Sequence, residues 1–454
     1  KMEQTGYVEE ELERVREEVL RDEKYIPQDV ACKVAFKPEV NIATDVPDNE
    51  RDEFKLKCRV FYILGYLQYI MAAMIMCFRQ VIERGKVIKI GMSFWHGGAL
   101  NFAMGMGYND PDIIFEDGDF KHLDTTIHMT LLFLYVTQAF VYYDFDKMNS
   151  VNKILFKAFL NICAQRLAIK VTHMFGSIWR VVYGGMPSGA YETSHGDSWV
   201  VAFVYFLFVA SVIKRNPHRA SQINALYALR RCGIVVYGDD HILFTHKSVH
   251  DIINEKAFAN FVKKHFNMLI RDIHAAPFIT IVNDSTGCIV TPGVVFLKRY
   301  FVNRENVFSP AEIALYNITS TVLPYRPLNA IIQKFAYGKG SCKSNIEYIV
   351  SAIGMAYDTQ GTNRVAYEFC KLMYIRMSAE FFGSIHDELR KFIDELMRSE
   401  KDTFVTRLCR TLSMSPNDLV AGFPTWEDLA SRHSYDMAAV DFGPQGHEAE
   451  EELW

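Results

Sequence analysis

The sequence predicts an α+β fold in which strands and helices intermix up to about residue 303 and helices dominate afterwards. Three observations carry this. Two short β-prone runs, 233–236 and 242–244, flank Tyr237-Gly238-Asp239-Asp240, the pattern of a hairpin with Gly at the bend. Val151, Ile154, Leu155, Ala158, Phe159 and Ile162 recur at helical spacing. Ser309-Pro310 and Ser415-Pro416 each read as a helix start with Pro in the first helical position.

Taken in order, an acidic-basic helix is expected over 9–22, then extended or irregular chain to Arg59. An apolar helical stretch follows to about Ile82, and a Gly- and Met-rich region, 91–119, fits neither period. A helix is expected over 121–137 and a strand over 139–144, ending in Asp144. The loop Gly184-Gly185-Met186-Pro187-Ser188-Gly189 leads into an apolar helix from about Thr193. After the Asp-Asp hairpin come a helix over 251–266 and a strand pair around 294–302.

At 454 residues, with 50% hydrophobic and 13% aromatic side chains, the chain can bury a large core and is not dominated by disorder. Its formal charge of −5 gives no global attraction to a polyanion, so any nucleic-acid site must be a local basic channel. Nine cysteines without a CxxC pair indicate neither a zinc site nor a disulfide framework, which fits a reducing compartment. Two apolar runs, 60–78 and 199–213, are explained as buried helices, and no membrane span is expected.

The candidate chemistry gathers at three places. Adjacent carboxylates at the tip of a tight hairpin are hard oxygen ligands of the kind Mg²⁺ takes, although alone such a turn is more often a solvated surface turn. Asp144 at a strand end would complete a ligand set drawn from separate strands, and two ions so held can serve phosphoryl transfer. Ser188 and Gly189, followed by Thr193, form a loop ending on a helix N-terminus, where backbone N–H groups can meet polar or anionic ligands. Lys55, Lys57 and Arg59 alternate with apolar residues, as in a strand that turns one charged face to a phosphate chain.

In this order the motifs resemble those of the RNA-dependent RNA polymerases of positive-strand RNA viruses, the picornavirus-like and calicivirus-like group above all. Lys57-Cys58-Arg59 resembles the nucleotide-entry motif F, Asp144 the first aspartate of motif A, and Gly185–Gly189 with Thr193-Ser194 motif B. Tyr237-Gly238-Asp239-Asp240 resembles motif C and Phe296-Leu297-Lys298-Arg299 motif E. The resemblance runs from about residue 25 to at least 340. It implies a right-hand polymerase: residues 1–137 as N-terminal fragment and fingers, 138–303 as palm with a fingers insertion near 155–185, and 304–454 as thumb and acidic tail.

Further implications of the resemblance are Asp144, Asp239 and Asp240 as ligands of two Mg²⁺ ions, for which Mn²⁺ could substitute. Lys55, Lys57 and Arg59 would meet the incoming NTP, Ser188, Gly189 and Thr193 would line the nucleotide and template site, and Lys298 and Arg299 would grip the RNA strand. The reaction would be nucleotidyl transfer from NTPs to an RNA 3′-OH, in host-cell cytoplasm or within a virion, with template and product RNA and other replication proteins as partners. A reverse transcriptase and a catalytically silent polymerase-like scaffold are the rival readings.

Departures from the family pattern add expectations. The family carries a second aspartate five positions after the first in motif A, paired with a motif B asparagine at the ribose 2′-OH. Counted from Asp144, those positions hold Asn149 and Asp197, as if acid and amide had exchanged places while keeping their joint hydrogen-bonding inventory. In the motif D region His274 is the favoured general acid, because Arg271 does not readily give up a proton, with Lys263, Lys264 or no such acid as the alternatives. Only residues 1–54 precede motif F, so a fingers segment is expected to be missing or supplied by another polypeptide. The acidic tail, 448–454, is disordered or folds into the RNA channel.

Overall fold

The computed structural model describes residues 87–138, most of 141–160, 184–187, 193–337, 344–398 except 382, and 416–434. It also describes the backbone of the strands 31–41, 55–63, 170–174 and 177–181, and helical residues 13, 14, 17 and 21. The Val60–Phe78 run beyond Ile63, the residues Ser188 and Gly189, and the acidic tail lie outside the described residues.

Strands β1 (Ala31–Asn41) and β2 (Lys55–Ile63) pair antiparallel, and β4 (Lys170–Met174) and β5 (Ser177–Val181) extend them to a sheet of order β2-β1-β4-β5. Lys55, Lys57 and Arg59 fall at alternate positions of β2.

The central sheet has the order β6-β7-β3-β8, antiparallel throughout: β3 (Ile113–Phe120), β6 (Cys232–Tyr237), β7 (Asp240–His246) and β8 (Ile270–Ala276). Strand β3 corrects two expectations. It lies in the stretch that fitted neither period, which also holds helix α1 (Gly98–Gly105), and it draws residues before 137 into the same sheet as the hairpin. A domain boundary at 137 would therefore cut this sheet.

The strand expected over 139–144 is absent among the described residues. Helix α2 (Met129–Thr137) leads into a helical residue at Val141, a single tight turn at Phe145–Lys147, and a helix resuming at Ser150. The reason is local. Asp144 and Lys147 sit three apart and pair at 2.6 Å across the turn, and Asn149 accepts the Asn152 N–H at 2.8 Å, capping the next helix.

Helix α3 (Thr193–Arg215) packs on one face of the sheet beside α4 (Ala220–Ala228) and α5 (Glu255–Phe266). It is long and apolar enough to cross a membrane, yet 67% of its most apolar stretch is buried against this core, which includes Tyr135, Val204, Tyr205, Phe208 and Phe258. The other face meets a second core of Phe94, Phe102, Phe278, Phe296 and Phe301. Beyond the sheet are two two-stranded sheets: β9 (Ile281–Asn283) with β10 (Cys288–Thr291), and β11 (Tyr300–Asn303) with β12 (Val322–Tyr325).

The C-terminal part is helical, as predicted. Helix α6 (Pro310–Leu315) starts on a capping box in which Ser309 and Glu312 satisfy each other's backbone N–H groups. Helices α7 (Leu328–Tyr337), α8 (Asn345–Asp358), α9 (Arg364–Ser378), α10 (Ile385–Arg398), α11 (Pro416–Ala421) and α12 (Trp426–Ala430) follow, and most share a core around Ile353, Tyr367 and Leu389.

Candidate active site

The hairpin between β6 and β7 closes through a two-residue turn, Gly238-Asp239, since Tyr237 pairs directly with Asp240. Gly238 has φ +65°, a conformation that a side chain disfavours. Its N–H donates to the Ser198 hydroxyl at 2.7 Å, and that hydroxyl donates to the Ser194 carbonyl at 2.6 Å. Ser198 is fully buried on α3, so the start of this helix fixes the hairpin tip. A serine inside an apolar helix gave no sequence signal of this role.

Beside the hairpin runs β3, with Asp119 directly opposite Asp240. Directly opposed residues share a face, so Asp119 and Asp240 project together, next to Asp239 at the turn. Asp144 is not part of this arrangement: it flanks an exposed turn and is bound to Lys147, with 54% of its side chain exposed. Asp119 thus takes the place expected of Asp144.

The electrostatics agree with a shared carboxylate site. Burial, then the charges of Asp239 and Asp119, push the Asp240 carboxyl up to about 6, against the opposing pull of His241 and Lys298. Asp119 is held by Arg271, whose Nε and Nη2 donate to the same oxygen, Oδ2, at 2.9 and 2.7 Å. Among the described residues, no group of three or more His, Cys, Asp or Glu side chains is drawn together closely enough to hold an ion.

Five positions after Asp119 stands Asp124, on the single helical turn Leu123–Thr126 that follows β3. The Asp124 carbonyl accepts the Met186 N–H at 2.5 Å, and the Gly185 N–H donates to the Ile127 carbonyl at 2.8 Å. Gly184 and Gly185 permit this approach: both have positive φ, and a Cβ on Gly184 would lie 2.3 Å from the Ile127 carbonyl oxygen. Thr193 closes the same loop by donating to the Pro187 carbonyl at 2.6 Å.

Asp197, one turn into α3, is only 8% exposed, and its carboxyl is raised well above the usual range by burial, with Asp124 and Asp239 as the neighbouring charges. Asn149 is exposed at its helix start, where its side chain accepts the Asn152 N–H, whereas Asp124 is a charged neighbour of Asp197.

Two further expectations change. Leu297 and Lys298 form a two-residue turn with positive φ at both positions, and Lys298 is exposed close enough to Asp240 to influence it. Arg299 instead turns inward: its Nη2 meets Asp358 Oδ1 at 2.5 Å, and Arg326 Nη1 meets Asp358 Oδ2 at 3.1 Å. There Arg299, mostly covered, ties the turn to helix α8. His274 lies on β8 opposite Asp117, deeper in the sheet than the Asp119 end.

The antiparallel sheet thus presents a two-aspartate hairpin beside a third aspartate near the end of the adjacent strand. Residues 112–313, which contain β3, the hairpin and α3, match the family model for viral RNA-dependent RNA polymerase. Among solved structures the chain is similar to the RNA-dependent RNA polymerase of a human picobirnavirus, with a TM-score of 0.53 over 80% of this chain. The sequences are 11% identical and the match spans 60% of that polymerase, so the likeness is one of fold. No curated protein matches the chain.

Proposed function

We propose that the chain is an RNA-dependent RNA polymerase that extends an RNA 3′-OH with NTPs by two-metal nucleotidyl transfer. The observation that carries this reading is the register of β3 against β7, which sets Asp119 opposite Asp240 beside Asp239. The donor set fits divalent ions. Its ligands are hard oxygens, and burial first, then the charges of Asp239 and Asp119, raise the Asp240 carboxyl, a repulsion that a cation would relieve. Asp119, Asp239 and Asp240 would hold the ions, which supply activation of the attacking hydroxyl and stabilisation of the leaving pyrophosphate.

Within this reading the central sheet with α3 to α5 is the palm, the β2-β1-β4-β5 sheet belongs to the fingers, and the helices from α6 onward form the thumb. Lys55, Lys57 and Arg59 at alternate positions of β2 are the proposed contacts of the incoming triphosphate, and Lys298 that of the product strand. Asp124 and Asp197 take the ribose. Burial favours the neutral acid at Asp197, and a neutral carboxyl both donates and accepts, as the amide of an asparagine does. The kinship with the picornavirus-like and calicivirus-like group rests on motif order alone.

The test is Mg²⁺-dependent extension of a primed RNA template with ribo- and deoxyribonucleotides. Extension with ribonucleotides that is lost in Asp239→Ala supports the reading; a preference for deoxyribonucleotides would assign the chain to reverse transcription.

A further inference from the structure

The ladder between β3 and β8 is irregular at one place. Phe115, Glu116 and Asp117 pair with Ala276, Ala275 and His274, but Asp119 and Phe120 pair with Arg271 and Ile270. Continued without interruption, the first register would set Asp119 opposite Asp272. One extra residue is accommodated on β8, where Asp272 and Ile273 stand between Arg271 and His274 opposite the single Gly118, and Asp272 adopts φ +52° there. The bulge replaces a facing pair of carboxylates by a carboxylate and a guanidinium, a use of bulges to re-aim a side chain.

The result is specific in geometry. Both donors of Arg271 converge on Oδ2 of Asp119, while Asp272 lies 3.5 Å from its Nε. Arg271 and Asp119 are 48% and 39% exposed, so water and ions reach the pair. Asp119 is the ligand that β3 contributes to the proposed ion site, and it is here engaged by a protein cation.

We infer that Arg271 is a positioning residue that stands in for the metal: it holds the Asp119 carboxylate at the site, and a divalent ion must take that carboxylate over from it. The inference rests on the proposed metal site. Arg271 thereby sets the ion concentration that the site needs, and it keeps the Asp119 side chain oriented until the ion arrives. An exposed ion pair of this kind contributes up to about 1 kcal/mol, so removing it should tighten ion binding by about two- to fivefold.

The measurement is direct Mn²⁺ binding to the full chain, by electron paramagnetic resonance of the free ion, without RNA or NTP. Arg271→Gln is expected to bind Mn²⁺ about two- to fivefold more tightly than the parent, Arg271→Lys to fall between them, and Asp119→Asn to lose the site. Unchanged or weaker binding in Arg271→Gln, with binding lost in Asp119→Asn, overturns the inference and leaves the metal site standing. Binding that is unaffected by Asp119→Asn overturns the metal site itself, and the inference with it.

Discussion

The two faces of strand β3 carry carboxylates in opposite circumstances. Glu116 and Gly118 face the side covered by α3 and α5, where Glu255 Oε1 meets His241 Nε2 at 2.8 Å and the Glu255 N–H donates to Glu116 Oε2 at 2.9 Å. His250 Nε2 approaches the same Glu116 oxygen at 3.2 Å. Glu255 and His241 are fully buried. Burial alone would lower the His241 imidazole, but the Glu255 carboxylate beside it prevails and raises it. Gly118 leaves the space: a Cβ there would meet Ile270 Cγ2 at 2.8 Å and Glu255 Oε1 at 3.0 Å.

On the opposite face, Asp119 and Asp240 share an open site with Asp239. Acid groups outnumber cations there, and Arg271 is bound to the rim. The difference teaches that depth of burial does not mark the reactive groups. The deeper carboxylates are matched by imidazoles and act as structure, whereas the shallower ones are undercompensated and suited to an ion.

The largest effect should come from breaking the matched face. Glu255→Leu leaves His241 buried without its partner and should destabilise the protein by about 3–5 kcal/mol, read from urea unfolding. On the open face the same kind of change should act in the opposite sense. The Asp240 carboxyl titrates near 6, above its usual value of 3.8, so the native state keeps the proton longer than the unfolded chain does. Native stability therefore falls as pH rises from about 4 to about 6. Asp240→Asn should remove that fall and raise the metal-free melting temperature at pH 7.5, while abolishing extension. Added Mg²⁺ should stabilise the parent and not the variant.

A smaller effect is expected deeper along the open face. His274 opposes Asp117, whose Oδ2 already accepts the Val295 N–H at 2.8 Å. His274→Gln should change the extension rate less than about twofold and leave its pH profile in place, since a general acid contributes a hundredfold or more. A displaced profile would return His274 to the chemistry and weaken the contrast between the tip and the depth of this face.

The hairpin was legible because its signal is local: β-prone runs, Gly at a position needing positive φ, and two acids. The late helices were legible through their Ser-Pro starts. Strand β3 was not, because Glu116, Asp117, Gly118 and Asp119 interrupt the apolar alternation of Ile113, Phe115 and Phe120, and each is tolerated only through partners distant in sequence. Yet one signal was present. Counted from Asp144, the family's second aspartate fell on Asn149; counted from Asp119, it falls on Asp124. On the proposed reading the apparent exchange of acid and amide is a displaced origin. Arg299 could not be separated from Lys298 by sequence, because its inward turn depends on Asp358, 59 residues away.

The central claim is that Asp119, and not Asp144, completes the site with Asp239 and Asp240. It is tested most directly by Mg²⁺-dependent primer extension with Asp119→Asn and Asp144→Asn side by side. Loss of a metal-ligating carboxylate removes several kcal/mol of transition-state stabilisation, so Asp119→Asn should slow extension by about a thousandfold or more. Asp144→Asn, which breaks only an exposed pair with Lys147, should extend RNA within about twofold of the parent. An active Asp119→Asn beside an inactive Asp144→Asn would contradict the account.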